Sequence, residues 1–173
     1  RGAYQQLFAS RTIRKTYEAV APVDPALDLP CTVRSRIVKA HGTLVAQEVP
    51  GEPNAESRVT LVDTVARDGG EMLGRYVLEP HTGKTHQLRL HMASLGLPIV
   101  NDNFYPEFYD VAPDDYSAPL QLLARSIAFT DPLSGEPRSF TSRRSLEVWA
   151  EASEPSEASV PSVTSVAPEV STG

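Results

Sequence analysis

The sequence predicts an α+β domain, a mostly antiparallel mixed sheet with flanking helices, and three observations lead there. Runs that read as strands outnumber runs with helical period. Most are joined by connections short enough for hairpins. The apolar fraction, 40% of 173 residues, is enough to build one core.

Taken in order, Ala3-Tyr4-Gln5-Gln6-Leu7-Phe8 reads as part of an amphipathic helix. It has no cap before it and the sequence opens on Arg1 rather than Met, so we expect an N-terminally truncated domain. Lys15-Thr16-Tyr17-Glu18-Ala19-Val20 is the first strand, followed by a Pro- and Asp-containing connector over 22–30. Residues 32–38 and 43–47 form a hairpin around His41-Gly42. Alternation over 56–65 places Val59, Leu61 and Val65 on one face, and Gly69-Gly70 turns the chain back into a strand over 74–80. The period then changes. Residues 85–95 carry Leu88, Met92 and Leu95 at helical spacing, Thr82 or Thr85 is placed to cap the start, and Gly96 stands where a left-handed residue ends a helix. After a stretch rich in Asp, Tyr and Pro, residues 120–129 form a strand that Asp131-Pro132-Leu133-Ser134-Gly135 turns into a last strand at 138–141. A short helix over 145–150, with Leu146 and Trp149 on one face, closes the domain.

Composition narrows the function classes. No apolar run is long enough to span a membrane and no N-terminal stretch has a signal-peptide layout, so a cytoplasmic chain without a membrane partner is expected. The single cysteine, Cys31, excludes an internal disulfide and a zinc knuckle. His86 and His91 are five apart with no Glu after His86, the wrong spacing for a helical zinc pair, so no metal is expected. The net charge of -6 is unevenly placed. Residues 151–173 hold four Glu and no Lys or Arg, which leaves -2 for the first 150. Within residues 1–39, Arg1, Arg11, Arg14, Lys15, Arg34, Arg36 and Lys39 outnumber Glu18, Asp24 and Asp28. A local basic patch is what phosphate neutralisation requires, whatever the overall sign. The domain is therefore assigned to 1–150, and 151–173 to an acidic Ser/Pro/Glu-rich tail, expected disordered for want of apolar surface.

The segment richest in chemistry is His81-Thr82-Gly83-Lys84-Thr85-His86-Gln87-Leu88-Arg89-Leu90-His91. A Gly-containing turn that feeds a helix N-terminus offers backbone N–H donors, and Lys84, His86, Gln87 and Arg89 crowd more around it. Such a place suits an anion. Either a carboxylate on Arg89 or a phosphate on Lys84 fits.

This run, with Leu95-Gly96-Leu97-Pro98-Ile99-Val100-Asn101-Asp102 and Tyr105, resembles the RsuA/RluA family of pseudouridine synthases in its RluA branch. Two further blocks are similar to that family: Ala3-Tyr4-Gln5-Gln6-Leu7-Phe8 with Arg14-Lys15-Thr16-Tyr17-Glu18-Ala19, and Leu122-Leu123-Ala124-Arg125 with Phe129-Thr130-Asp131-Pro132-Leu133-Ser134-Gly135-Glu136. The resemblance covers about residues 1–150. It implies the C-terminal part of a pseudouridine synthase catalytic domain, acting on rRNA or tRNA as a monomer, with neither metal nor organic cofactor. The reaction detaches uracil from ribose at N1 and rejoins it through C5, using an aspartate nucleophile. Carried over by motif position, Tyr17 stacks on the flipped base, Arg89 pairs with the aspartate, and Arg14, Lys15, Lys84, His86 and Gln87 contact RNA.

The departures are informative. The family's aspartate sits in a His-Arg-Leu-Asp type motif, and no such motif occurs in these residues; Asp63, Asp68 and Asp102 lack its context. The 173 residues alone are therefore expected to be inactive. Lys84 stands where Arg is also common, and Asn101 and Pro106 where Gly is frequent. The alternative reading is an RNA-binding module without catalysis, and an Asp-containing motif upstream of residue 1 would discriminate the two.

Overall fold

The computed structural model of the chain describes residues 2–9, 12–67, 69–112 and 114–153. Arg1, Arg11, Asp68 and the part of the expected tail from 154 on lie outside the described residues. The elements are α1 Gly2–Ala9, β1 Arg14–Pro22, β2 Cys31–Val38, β3 Gln47–Val49, β4 Ala55–Ala66, β5 Met72–Pro80, α2 Gln87–Ser94, β6 Leu122–Thr130, β7 Pro137–Thr141 and α3 Glu147–Ser153. The strands form one seven-stranded sheet in the order β3-β2-β4-β5-β1-β6-β7, and every neighbouring pair is antiparallel. The α+β expectation is met.

The centre of the sheet is covered on both sides. Ala19 and Ala21 of β1 join Tyr76 and Leu78 of β5 and Val59 of β4 against Leu88 and Met92 of α2. Val20 and Leu73 point the other way, to Leu146, Val148 and Trp149. This explains why Ala19-Val20-Ala21 is buried without alternation. Gly74 is required by packing: a Cβ there would lie 2.7 Å from Leu61 Cδ1 and 2.7 Å from Tyr76 Cε2. The Tyr76 hydroxyl donates to the Pro22 carbonyl at 2.7 Å, and burial, with Asp24 nearby, pushes its pKa up to about 12.

Several boundaries differ from expectation for identifiable reasons. The strand expected at 43–47 lies at Gln47–Val49, because residues 40–45 close on themselves through the Thr43 hydroxyl and Ala46 is held by Tyr105. Gln121 does not join β6: its backbone bonds to Val20 and Val100 instead. Its buried side chain accepts from Val148 N at 3.1 Å, at the start of α3. α3 runs through Ser153, past the boundary set at 150. Gly96, at φ 76°, ends α2 as expected, with Leu97 N donating to Met92 O and Gly96 N to Ala93 O, the paired bonds of a Schellman turn.

Candidate active-site cleft

β1, β5 and β6 bring their backbone ladders together beside the start of α2, and a cleft of about 240 Å³ opens there. Tyr17, Leu88 and Leu122 give it apolar walls, while Lys15, Lys84, His86 and Arg89 supply polar groups. Small-molecule sites start at roughly 300 Å³, so this cleft suits a single flat ring next to an anionic group. A register shift between Thr16 and Tyr17 accompanies the opening of β1 at this point. Lys15 and Tyr17 also line a second cleft of about 530 Å³ toward Ile127 and Phe140. Tyr17 therefore stands between the two spaces.

The turn before α2 is built by Gln87. Neither Thr82 nor Thr85 caps the helix; the N-cap is His86, in the left-handed region at φ 54° and ψ 20°, without a side-chain cap. Gln87 Oε1 accepts from the Thr82 hydroxyl at 2.7 Å and Lys84 N at 3.0 Å, and Nε2 donates to Glu56 O at 2.9 Å and Ser57 Oγ at 2.8 Å. Thr82 Oγ in turn accepts from Glu56 N, which ties the turn to β4. The Gln87 amide, expected to contact RNA, is thus fully committed inside the protein. It shapes the cleft.

Arg89 follows from the helix period: with Leu88 and Met92 facing the sheet, position 89 points to one side. Its Nε donates to Asp102 Oδ2 at 2.8 Å and Nη2 to Asp102 Oδ1, in a bidentate fork. The Asp102 side chain is 1% exposed and its Oδ1 also accepts from Phe104 N at 2.8 Å and Tyr105 N at 3.1 Å. The guanidinium carbon lies 4.5 Å from the Phe104 ring centroid and 5.4 Å from that of Tyr105. Asp102, set aside in the sequence as lacking a nucleophile's context, is the anion that Arg89 meets within this chain. The signal for it was its place in the same motif block, two residues after Val100 and three before Tyr105.

Tyr105 carries the next layer. Its hydroxyl donates to Ala46 O at 2.9 Å and accepts from Ala46 N at 2.8 Å, and His86 Nδ1 lies 3.0 Å away. Burial, helped by the cations Arg89 and Lys39 and opposed by Asp102, holds the His86 pKa below its ordinary value. The imidazole is neutral near pH 7. Asn101, at φ 61°, explains one departure from the family pattern: Asn is the side chain that best tolerates the conformation glycine otherwise supplies.

Of the residues singled out from sequence, Tyr17, Lys15, Lys84, His86, Gln87 and Arg89 line the same cleft. Arg14 does not. It pairs with Ala128 in the sheet and borders a separate cleft of about 370 Å³ with Phe129 and Arg138. Among the described residues, no helix is long and apolar enough to cross a membrane.

Comparison with known proteins places these residues in context. The family described as RNA pseudouridylate synthase matches residues 2–94. The dual-specificity RNA pseudouridine synthase RluA of Salmonella typhi is 39% identical over 92 residues, covering 52% of this chain and 37% of the relative. That of Escherichia coli K12 is 44% identical over 68 residues, 38% of this chain and 29% of the relative. The uncharacterised RNA pseudouridine synthase YhcT of Bacillus subtilis is 32% identical over 100 residues, 58% of this chain and 32% of the relative. The matched part thus spans about a third of the length of these curated relatives. In structure, human RNA pseudouridylate synthase domain containing 4 is similar with a TM-score of 0.60 at 21% identity, over 86% of this chain and 64% of that one. Human RNA pseudouridylate synthase domain containing 1 gives 0.58 at 19% identity, over 83% and 59%. At such identities the structural likeness concerns the fold.

Proposed function

The chain belongs to the RNA pseudouridylate synthase family, and from that premise we propose that it is the supporting part of a catalytic domain that isomerises uridine in rRNA or tRNA. The observation that carries this reading is the convergence of Tyr17, Arg89, Lys15, Lys84 and His86 on one cleft sized for a single ring. A base in a helix is stacked and must be flipped out, at a cost of a few kcal/mol that stacking and phosphate contacts offset. Tyr17 and the apolar walls receive the ring. Lys15 and Lys84 neutralise the phosphates flanking it, and Arg14, in its separate cleft, contacts the strand further along. Arg89 holds the nucleophilic aspartate ionised and oriented, since a cation within a few ångströms lowers a carboxylate pKa by about 1–3 units. That aspartate is not among the 173 residues, which alone bind RNA without converting it.

The test is conversion of uridine to pseudouridine in rRNA and tRNA by the full-length gene product and by the 173-residue chain. The full-length protein is expected to convert one of these RNAs and the short chain neither. Charge-assisted hydrogen bonds contribute about 1.5–3 kcal/mol, so Arg89→Ala in the full-length protein lowers kcat roughly 10- to 100-fold. Unchanged activity in that variant removes Arg89 from the mechanism. RNA binding by a full-length protein that converts nothing would favour the non-catalytic module.

A further inference from the structure

Arg89 carries one feature that a site cation does not need for its own stability. It is already paired. Its Nε and Nη2 edge is filled by Asp102, whose side chain is 1% exposed. Burying a carboxylate is costly unless its lone pairs are used. Here they are, by the guanidinium and by the N–H groups of Phe104 and Tyr105. The Phe104 ring at 4.5 Å and the Tyr105 ring at 5.4 Å limit the remaining freedom of the guanidinium. A guanidinium has a second edge, however. The fork takes one hydrogen from Nε and one from Nη2, so the Nη1 hydrogens and the outer Nη2 hydrogen remain directed away from Asp102. Arg89 also lines the cleft that holds Tyr17, and this second edge is the part of the guanidinium that Asp102 leaves unbound.

We propose that Asp102 is a positioning residue: it grips the inner edge of Arg89 so that the outer edge is held ready for a second carboxylate in the Tyr17 cleft. Resting on the functional reading above, that second carboxylate is the nucleophile, and the two acids share one guanidinium at the same time. Two consequences follow. The guanidinium does not reorient during catalysis, which removes an entropic cost from the reacting complex. Asp102 also neutralises part of the Arg89 charge, so the nucleophile is oriented without being bound so tightly that it loses reactivity. An Arg89 that had to leave Asp102 to reach the nucleophile would offer neither advantage.

The test has one arm on the 173-residue chain and one on the full-length protein. In the chain, the Arg89 guanidinium is followed by nitrogen–proton NMR, assigned with Arg89→Lys, while acetate is added as the carboxylate probe. Saturable shifts of the Arg89 Nη signals with the Nε–H still protected from exchange are expected. Loss of Nε–H protection on acetate binding means that Asp102 is displaced, and absence of a saturable response means that the outer edge is not presented. Either result overturns the proposal. Asp102→Asn separates positioning from mere support of the loop: its Oδ1 still accepts from Phe104 and Tyr105, but the charged fork is gone. In this variant, whose side chain still fills the space beside Nε, the Nε–H is expected to lose its protection from exchange, and thermal stability falls because a buried ion pair is broken. In the full-length protein Asp102→Asn is expected to lower kcat about tenfold or more while KM changes less than about twofold, and wild-type kcat in this variant overturns the proposal. If the full-length protein converts no uridine, the functional reading falls, and the NMR arm still decides whether Asp102 presents Arg89 to a carboxylate.

Discussion

Gln87→Ala tests whether the cleft is held open by the side chain assigned to it. Gln87 is 3% exposed and makes four hydrogen bonds, to Thr82, Lys84, Glu56 and Ser57. They are not of equal weight. Lys84 is exposed and Thr82 half-buried, so water replaces Gln87 there at about 0.5 kcal/mol each. The Glu56 carbonyl keeps a second donor, His81 N at 2.9 Å, which limits its loss to about 1 kcal/mol. Ser57 is fully buried, and stranding its hydroxyl costs about 1–3 kcal/mol. The sum is roughly 3–5 kcal/mol, read as a lowered urea midpoint at unchanged m-value in equilibrium unfolding of the chain. Gln87→Glu isolates the donor side: Oε1 still accepts from Thr82 and Lys84, the Glu56 carbonyl loses this donor, and the Ser57 hydroxyl must turn its own proton to the carboxylate. A loss under about 1 kcal/mol for Gln87→Ala would refute the account of the turn as a Gln87 clamp and return Gln87 to the list of groups free to meet RNA.

Two more changes probe the layers behind the cleft. Tyr105→Phe removes a hydroxyl that satisfies both backbone groups of buried Ala46 and contacts His86, and is expected to cost about 2–3 kcal/mol in the same unfolding assay; a change within 0.5 kcal/mol would mean that residues 40–46 hold themselves. The fully buried His91 has its pKa held below the ordinary 6.5 by burial, with Glu48 opposing. The unfolded chain therefore takes up this proton first, so stability is fully present above about pH 6.5 and falls as pH drops toward the folded-state pKa, at up to about 1.4 kcal/mol per pH unit. Unfolding between pH 7.5 and 5.5 measures the slope, and His91→Gln is expected to flatten it.

How much of this was legible in the sequence depended on how local the cause was. α2 and its end at Gly96 were readable because Leu88 and Met92 repeat at the helical period and a left-handed glycine follows. β4 was readable from alternation, β5 from the Gly69-Gly70 turn before it, and β1 from the Pro-containing connector that follows it. β3 was misplaced because its position is fixed by the Tyr105 hydroxyl, which acts on Ala46 across 59 residues. The cap of α2 was misassigned because Thr82 and Thr85 have the right chemistry, whereas the Thr82 hydroxyl is taken up by Gln87 Oε1 and Glu56 N and the N-cap falls at His86 without a side-chain cap. Arg89 was recognisable as an anion binder. Its partner within the chain was not, because only the fold of residues 97–105 brings Asp102 back to α2.

Among the described residues, two non-glycine residues have positive φ, His86 and Asn101, and they bracket the unit that carries the site. One stands immediately before α2 and the other immediately before Asp102. Left-handed conformations cost a non-glycine residue roughly 1–2 kcal/mol, and they persist where the surroundings fix them. His86 is fixed by Tyr105 at 3.0 Å and by the Phe104 ring at 5.2 Å, and Asn101 by its own amide on Pro119 O at 3.1 Å. Without the first turn, α2 would not start where it presents Arg89 to the cleft. Without the second, the chain would not turn Asp102 onto that same arginine. Tyr105 closes the circuit, since the hydroxyl that meets His86 belongs to the loop whose N–H groups bind Asp102. The strain at both ends is therefore part of one arrangement, in which the geometry of a single guanidinium is set before any substrate arrives.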